Sequence, residues 1–396
     1  MKFGILKDIK IGECRVVTTP SEVKTLTSQN AEVFVEHDAG KLAGFEDKEY
    51  VDAGGTILNT KEEIYKTCDM VAKIKEIEPT EYDLLREGQI VFSCIHPAAH
   101  PEEVEALLNK KVISFTTEDT YRYGSPNCEA AGKAGAFMGL YSMLSINGGC
   151  GKFVSGLAGA PNIKAMVLGY GLVGSAAVDF LHQLGAWVTV GDISYQQLLN
   201  IESKYHGKVN TLFSNRCNIE KILPQMDLVI NCVRWPKDSK EFLITREMVK
   251  SMHKGSVIVD ISNDYGVIET FHETNHNDPM YIEEGVVHYC VPNIPSVIAG
   301  SASVANSACL VSHFENILKN GVVKACKNDE YLRRGMVSYN GYLTHEETSK
   351  IQNKPWVKPE VILGIYNDDI KFAPKCTIDR SDNYYKEFEE ICKNLK

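Results

Sequence analysis

The stretch Gly169-Tyr-Gly171-Leu-Val-Gly174 constrains this chain more than any other. Three glycines at that spacing are a weak signal alone, because they also occur as plain packing motifs. Their setting narrows the reading. Ala165 to Leu168 is an apolar strand, Leu172 to Leu184 carries helical periodicity, and Trp187 to Val190 is a second strand ending at Asp192. A strand, a glycine turn, a helix and an acid closing the next strand spell a dinucleotide-binding βαβ unit. Gly169 permits the tight turn, Gly171 lets backbone approach a pyrophosphate, and Gly174 lets the helix pack close to the sheet. The helix start at Leu172 and Val173 offers N–H groups and partial positive charge to the phosphates. Asp192 can accept ribose hydroxyls and would repel a 2′-phosphate, so NAD is expected over NADP. Lys204 and Arg216 are the cations that would weaken that preference if they stood beside it. The competing reading of Asp192 is a cap on the Asp-Ile-Ser turn.

Elsewhere the chain alternates between the two periods. Phe3 to Leu6, Ala31 to Glu36, Asp69 to Ile74, Gln89 to Ile95 and Val112 to Phe115 read as strands. Pro20 to Thr27, Lys61 to Lys66 and Pro101 to Leu108 read as helices. Such alternation implies an α/β fold with largely parallel sheets. A small-residue helix from about Glu129 to Asn147 suggests close packing or a hinge, and Gly148-Gly-Cys-Gly151 ends it. Leu228 to Cys232, Ser256 to Ile261 and Val286 to Val291 are later strands, and a long helix covers Ser303 to Leu318. The segment beyond Tyr366 is polar and reads as an extension, either with a short helix near Asn383 to Cys392 or partly disordered.

Four polar features stand outside the glycine motif. Arg15 lies in a Gly-Glu-Cys-Arg turn. Lys73 and Lys75 alternate at a strand end, so one can serve a cleft while the other is solvated. His96 follows an apolar strand, and Asp260 and Asp264 bracket Ile261-Ser-Asn263 after another. Each has a plain structural alternative: an ion pair, a solvated strand end, a hydrogen-bonded imidazole, a turn cap. Together they supply cations for a carboxylate, an imidazole near neutral pKa and an acid, the groups that position a 2-oxo or 2-amino acid and move protons.

A net charge of −10 over 396 residues disfavours nucleic acid or an anionic membrane as an obligate partner. No run reaches the roughly 18 apolar residues of a membrane span, and no signal segment opens the chain. The 12 cysteines are scattered without a C-x-x-C pair, as expected of free thiols in the cytoplasm. Nor do histidines and cysteines fall at the spacing of a structural zinc centre, so no metal is expected.

The chain resembles the alanine dehydrogenase family and its relatives: transhydrogenase nucleotide domains, carboxyethyl-ornithine synthase and lysine-forming saccharopine dehydrogenase. The matching stretches are GILKDIKIGECRVVTTP at 4–20, VAKIKE at 71–76, LREGQIVFSCIHPAA at 85–99 and EAAGKAGAF at 129–137. They continue with VLGYGLVGSAA at 167–177, VIVDISNDYG at 257–266, HYCVPNIPS at 288–296 and GVVKACKNDEYLRRGMVSYNGYLTHE at 321–346. The resemblance implies two Rossmann-like domains meeting at a cleft. An NAD domain, 135–304, is inserted into a discontinuous substrate domain, 1–134 and 305–396, with 366–396 as an extension. It implies that Arg15 and Lys75 bind the 2-oxo acid, that His96 is the catalytic imidazole, and that Asp264 is the acid beside it. Asp192 matches the ribose acid, while Cys128 and Asn293 lie in loops on the cofactor side. Relatives are dimers or hexamers, so a homo-oligomer is expected.

Departures from the family pattern leave the substrate open. Asn127-Cys128-Glu129 stands where Met-Ser-Glu is usual, Gly148-Gly-Cys-Gly151 where Gly-Gly-Arg-Gly is, and Cys232-Val-Arg234-Trp235-Pro236 and Pro292 to Ser296 alter two loops. A cation and an indole near the pocket would suit a substrate larger or more acidic than alanine. The first reading is therefore reversible deamination of alanine or a close relative to the 2-oxo acid and ammonia. The second is an opine- or saccharopine-type reductase joining a 2-oxo acid to the amine of ornithine or lysine. A third, a catalytically lapsed nucleotide sensor, is opposed by the intact Arg15, Lys75, His96 and Asp264.

Overall fold

The computed structural model describes residues 1–235, 241–262 and 266–374, which form two compact units. Of the described residues, one comprises Met1–Pro126 and 298–374, the other Asn127–Val297.

In the first unit β1 (Lys2–Ile5), β2 (Glu32–Glu36), β3 (Thr56–Leu58), β4 (Met70–Ala72), β5 (Ile90–Ser93) and β6 (Ile113–Thr116) lie parallel, in the order β6-β5-β4-β1-β2-β3. Helices Pro20–Ser28, Lys61–Thr67 and Pro101–Asn109 connect them. The central strands are apolar along their whole length because both faces are covered: Met70, Val71 and Ala72 are all buried, as are Ile90 to Ser93.

In the second unit β7 (Lys164–Leu168), β8 (Trp187–Asp192), β9 (Asn210–Phe213), β10 (Leu228–Asn231), β11 (Val257–Asp260), β12 (Met280–Glu283) and β13 (Val286–Tyr289) form a sheet ordered β12-β13-β11-β10-β7-β8-β9. Only β12 runs antiparallel. The small-residue helix spans Pro126–Ser142, starting earlier than its composition suggests because proline fits the first turn. Its glycines touch the helix that follows β7 and the sheet itself. A Cβ on Gly132 would stand 2.1 Å from the Val173 carbonyl, and one on Gly139 would meet Leu228 and Val259 at 2.9 Å.

The chain then returns to the first unit. Helix Ala299–Asn328, bent at Gly321 (φ 72°), lays Phe314 against Phe3 and Phe92, at ring distances of 5.0 and 5.1 Å. By length and composition Ile294–Asn328 is apolar enough to cross a bilayer, but half of its most apolar window is buried in the fold. Finally β14 (Met336–Tyr339) adds antiparallel to β6, and β15 (Tyr342–Leu343) closes the edge. The helix expected near Asn383 lies outside the described residues.

Candidate active site

In the first unit four adjacent parallel strands, β6, β5, β4 and β1, end at one crest, and the chain just past each end carries charge. β1 leads to Glu13 and Arg15, β4 to Lys73, Lys75 and Glu76, β5 to Cys94 and His96, and β6 to Glu118 and Asp119. The strand order reverses between β1 and β4, where loops leave in opposite directions and open a crevice.

Arg15 is buried and held by Glu13: its Nε and Nη2 donate to the two carboxylate oxygens at 2.8 and 2.7 Å. Burial works against the guanidinium charge, but the Glu13 pair outweighs it and raises the pKa above the ordinary value. The loop itself is tied to helix Ala299–Asn328, where Ser303 and Ser307 hydroxyls accept the Val16 and Thr19 N–H groups, each at 3.0 Å. Lys75 lies 3.3 Å from Glu76, its side chain only 14% exposed. Burial again opposes the charge, and Glu76 overcomes it, so Lys75 stays an ammonium. Glu76 also takes Lys10 at 2.9 Å and His100 at 3.5 Å. Although burial pushes its carboxyl up, Lys75, Lys10 and His96 bring it down to about 2.

His96 has a left-handed backbone (φ 47°), uncommon for a residue with a Cβ. Glu118 fixes it there, accepting the His96 backbone N–H at 2.8 Å while its Oε1 lies 3.3 Å from the ring Nδ1. On the other side Cys94 Sγ is 3.3 Å from Nε2. Lys73 does not behave as expected of it. It is fully buried on Glu81 at 2.8 Å, so neither lysine of the pair is solvated.

In the second unit the glycine motif follows β7 and opens helix Leu172–Gln183. Gly169 has φ 85°, and a Cβ on Gly174 would stand 1.9 Å from the Gly169 carbonyl. Gly171 differs: among the described residues a Cβ there meets nothing within 4 Å. No atom of the described residues requires a glycine at that point, and the open backbone fits the approach of a pyrophosphate. Asp192 accepts Tyr170 N–H and Ser194 N–H, one on each oxygen, both at 2.7 Å. Lys204 instead pairs with Asp179, and Arg216 donates to the Phe242 carbonyl. Asn293 is a positive-φ residue (φ 61°) whose carbonyl accepts Ser296 N–H. Cys128 is half-buried in the first turn of Pro126–Ser142.

Asp264 lies outside the described residues. Trp235 corrects the substrate argument drawn from it: it is buried in the apolar cluster of the second unit and donates Nε1–H to the Glu241 carbonyl at 2.7 Å. An indole used as core cannot select a bulky substrate. The carboxylates Glu13, Glu76 and Glu118 escaped the sequence reading, although Glu13 and Glu76 each lie within two residues of a predicted cation.

A model of the alanine dehydrogenase/PNT N-terminal domain matches residues 4–126, and one of the C-terminal domain of the same family matches residues 135–346. The alanine dehydrogenase of Staphylococcus haemolyticus is 36% identical over 354 residues, covering 87% of this chain and 95% of that protein. That of Methanococcus maripaludis is 34% identical over 372 residues, covering 92% and 100%. Among solved structures an L-alanine dehydrogenase matches with a TM-score of 0.83 at 32% identity, over 89% of this chain and 99% of that one. The chain belongs to the alanine dehydrogenase and transhydrogenase family.

Proposed function

We propose that this enzyme catalyses the NAD-dependent deamination of L-alanine to pyruvate and ammonia, and the reverse. The observation that carries the reading is the crest of the first sheet, where Arg15, Lys75 and His96 each stand beside a carboxylate that fixes it. Arg15, its plane set by Glu13, holds the substrate carboxylate. Lys75, kept charged by Glu76, donates to the carbonyl oxygen and stabilises charge that develops there. A permanent ammonium is a poor base, so proton exchange falls to His96, with Asp264 as a further acid. In amination ammonia condenses at C2. In deamination His96 takes the proton of the attacking water.

Gly169, Gly171, Leu172, Val173 and Gly174 would hold the pyrophosphate of NAD and Asp192 its ribose, with Cys128 and Asn293 on the nicotinamide side. When bound, NAD supplies the hydride acceptor at nicotinamide C4. The buried Trp235 removes one reason to favour a larger amine. NADH oxidation with pyruvate and ammonia, run beside larger 2-oxo acids with ornithine or lysine, tests the assignment. Activity confined to the larger amines would overturn it.

We also infer a cytoplasmic homo-oligomer that needs neither nucleic acid nor membrane. Ten cysteines are free among the described residues. Helix Pro126–Ser142 packs its glycines inward and leaves Phe137 and Tyr141 exposed, a stripe continued by Leu144, Ile146, Phe153 and Leu157.

A further inference from the structure

We propose that Cys94, His96 and Glu118 form a binding site for a single zinc-class divalent cation, which blocks the enzyme reversibly when it binds. The donors come from two neighbouring strand ends. Register pairs Ser93 of β5 with Thr116 of β6, so the Cys94-Ile-His96 turn and Glu118 leave the sheet side by side. One ligand atom from each lies within 4.8 Å of the others. Cys94 Sγ and His96 Nε2 are 3.3 Å apart. Tetrahedral zinc with ordinary Zn–S and Zn–N lengths sets sulfur and nitrogen about 3.5 Å apart, so that pair needs little movement. Glu118, which lies 3.3 Å from the other ring nitrogen, must swing towards the Nε2 side to complete the site.

The donor set also chooses the ion. A thiolate, an imidazole and a carboxylate suit a borderline-soft cation and not magnesium or calcium, which take oxygen. Three protein ligands leave one position open, as in sites that exchange ligand. The neighbouring cations do not oppose entry with full charge, because Arg15 is paired with Glu13 and Lys75 with Glu76. The cation binds by displacing the thiol proton of Cys94 to solvent. The histidine ring at 31% side-chain exposure is the accessible face, with cysteine and glutamate behind it.

Blockade rests on the reading of His96 as the proton-transfer group; binding does not. The test separates the two. The full chain is titrated with Co²⁺, whose sulfur-to-metal charge-transfer band reports a thiolate ligand. Zn²⁺ is then titrated by calorimetry, and turnover is measured with and without it. The band is expected with one equivalent of Co²⁺. Cys94→Ser is expected to abolish it and to weaken Zn²⁺ binding by at least about 100-fold, more than the loss of an outer-shell partner costs, with Glu118→Gln weakening it less. Cys217→Ser, at an exposed surface thiol, should leave both unchanged. Circular dichroism melts show which variants are folded. Absence of the band in the wild-type chain, or its survival in folded Cys94→Ser, overturns the site. A Cys94-dependent band without loss of turnover under saturating Zn²⁺ keeps the site but overturns the blockade and the role given to His96.

Discussion

The two units lay their first six parallel strands in the same order, with β6-β5-β4-β1-β2-β3 in one and β13-β11-β10-β7-β8-β9 in the other. Each therefore has its crevice beside its first strand. They use that position in opposite ways. The second unit brings backbone to it: Gly169, Gly171 and a helix N-terminus, with Asp192 anchored by two N–H groups. The first brings polar side chains, Arg15 and Lys75 buried or nearly so and His96 partly exposed, each paired with a carboxylate one or two residues away or, for His96, across the neighbouring strand end. A backbone cradle suits a phosphate that recurs unchanged in every turnover. Paired side chains suit a small substrate whose charge changes during reaction.

If that division of labour is right, removing one charge from the first crest should cripple chemistry and spare the cradle. Lys75→Met is expected to lower kcat/KM roughly 1,000-fold, the scale of losing one group that stabilises a developing oxyanion. NADH affinity, followed by its fluorescence, should stay within about twofold. Near-wild-type turnover would remove Lys75 from the mechanism, and a parallel loss of NADH binding would dissolve the contrast between the units.

The contrast also explains what the sequence could reveal. The glycine motif is local: six consecutive residues between a strand and a helix carry it, and the apolar runs around it locate β7 and β8 closely. The charged crest is not local. Arg15, Lys75, His96 and Glu118 are spread over more than a hundred residues, and only the β6-β5-β4-β1 order gathers them, so each of the first three, read singly, has a structural meaning as good as its functional one, and Glu118 gives no signal. Lys73 shows the limit. Alternation said that it differs from Lys75, but nothing near it announced Glu81 as a buried partner eight residues away. Trp235 shows the same limit, since an indole reads alike whether it lines a pocket or fills a core. Resemblance supplied the roles that periodicity could not.

Glu76 sharpens the comparison in terms of stability. Holding its carboxyl at about 2 instead of the ordinary 4.5 corresponds to about 3 kcal/mol. Because the folded pKa is the lower one, this stabilisation is complete above pH 4.5 and is lost as pH falls from there towards 2. Urea melts should therefore place Glu76→Gln about 3 kcal/mol below wild type at pH 7, with the gap closing as the acid is titrated. A pH-independent gap would mean that packing, and not the charge, accounts for the loss.

Gly174→Ala probes the cradle by sterics alone. Its methyl would meet the Gly169 carbonyl at 1.9 Å, and backbone cannot rotate away as a side chain can. Overpacking of this kind costs about 1–3 kcal/mol. The glycine turn must open to admit it, so NADH binding should weaken along with the melting temperature. Unchanged affinity in a folded variant would show that the turn is not where the pyrophosphate rests.

Asp192→Asn is expected to have the smallest effect and decides between the two readings of that acid. Its oxygens already accept Tyr170 and Ser194 N–H groups, which is what a turn cap does. A carboxylate oxygen has a second lone pair, however, so capping the turn and accepting a ribose hydroxyl are compatible. The asparagine presents an NH₂ to one of the two backbone donors, and the melting temperature should fall under either reading. Cofactor choice separates them. If the charge faces the ribose, NADH affinity drops roughly tenfold, about the worth of one charge-assisted hydrogen bond, and NADPH gains relative to NADH because repulsion of the 2′-phosphate is gone. If Asp192 only caps the turn, both cofactors weaken alike and their ratio stays where it was.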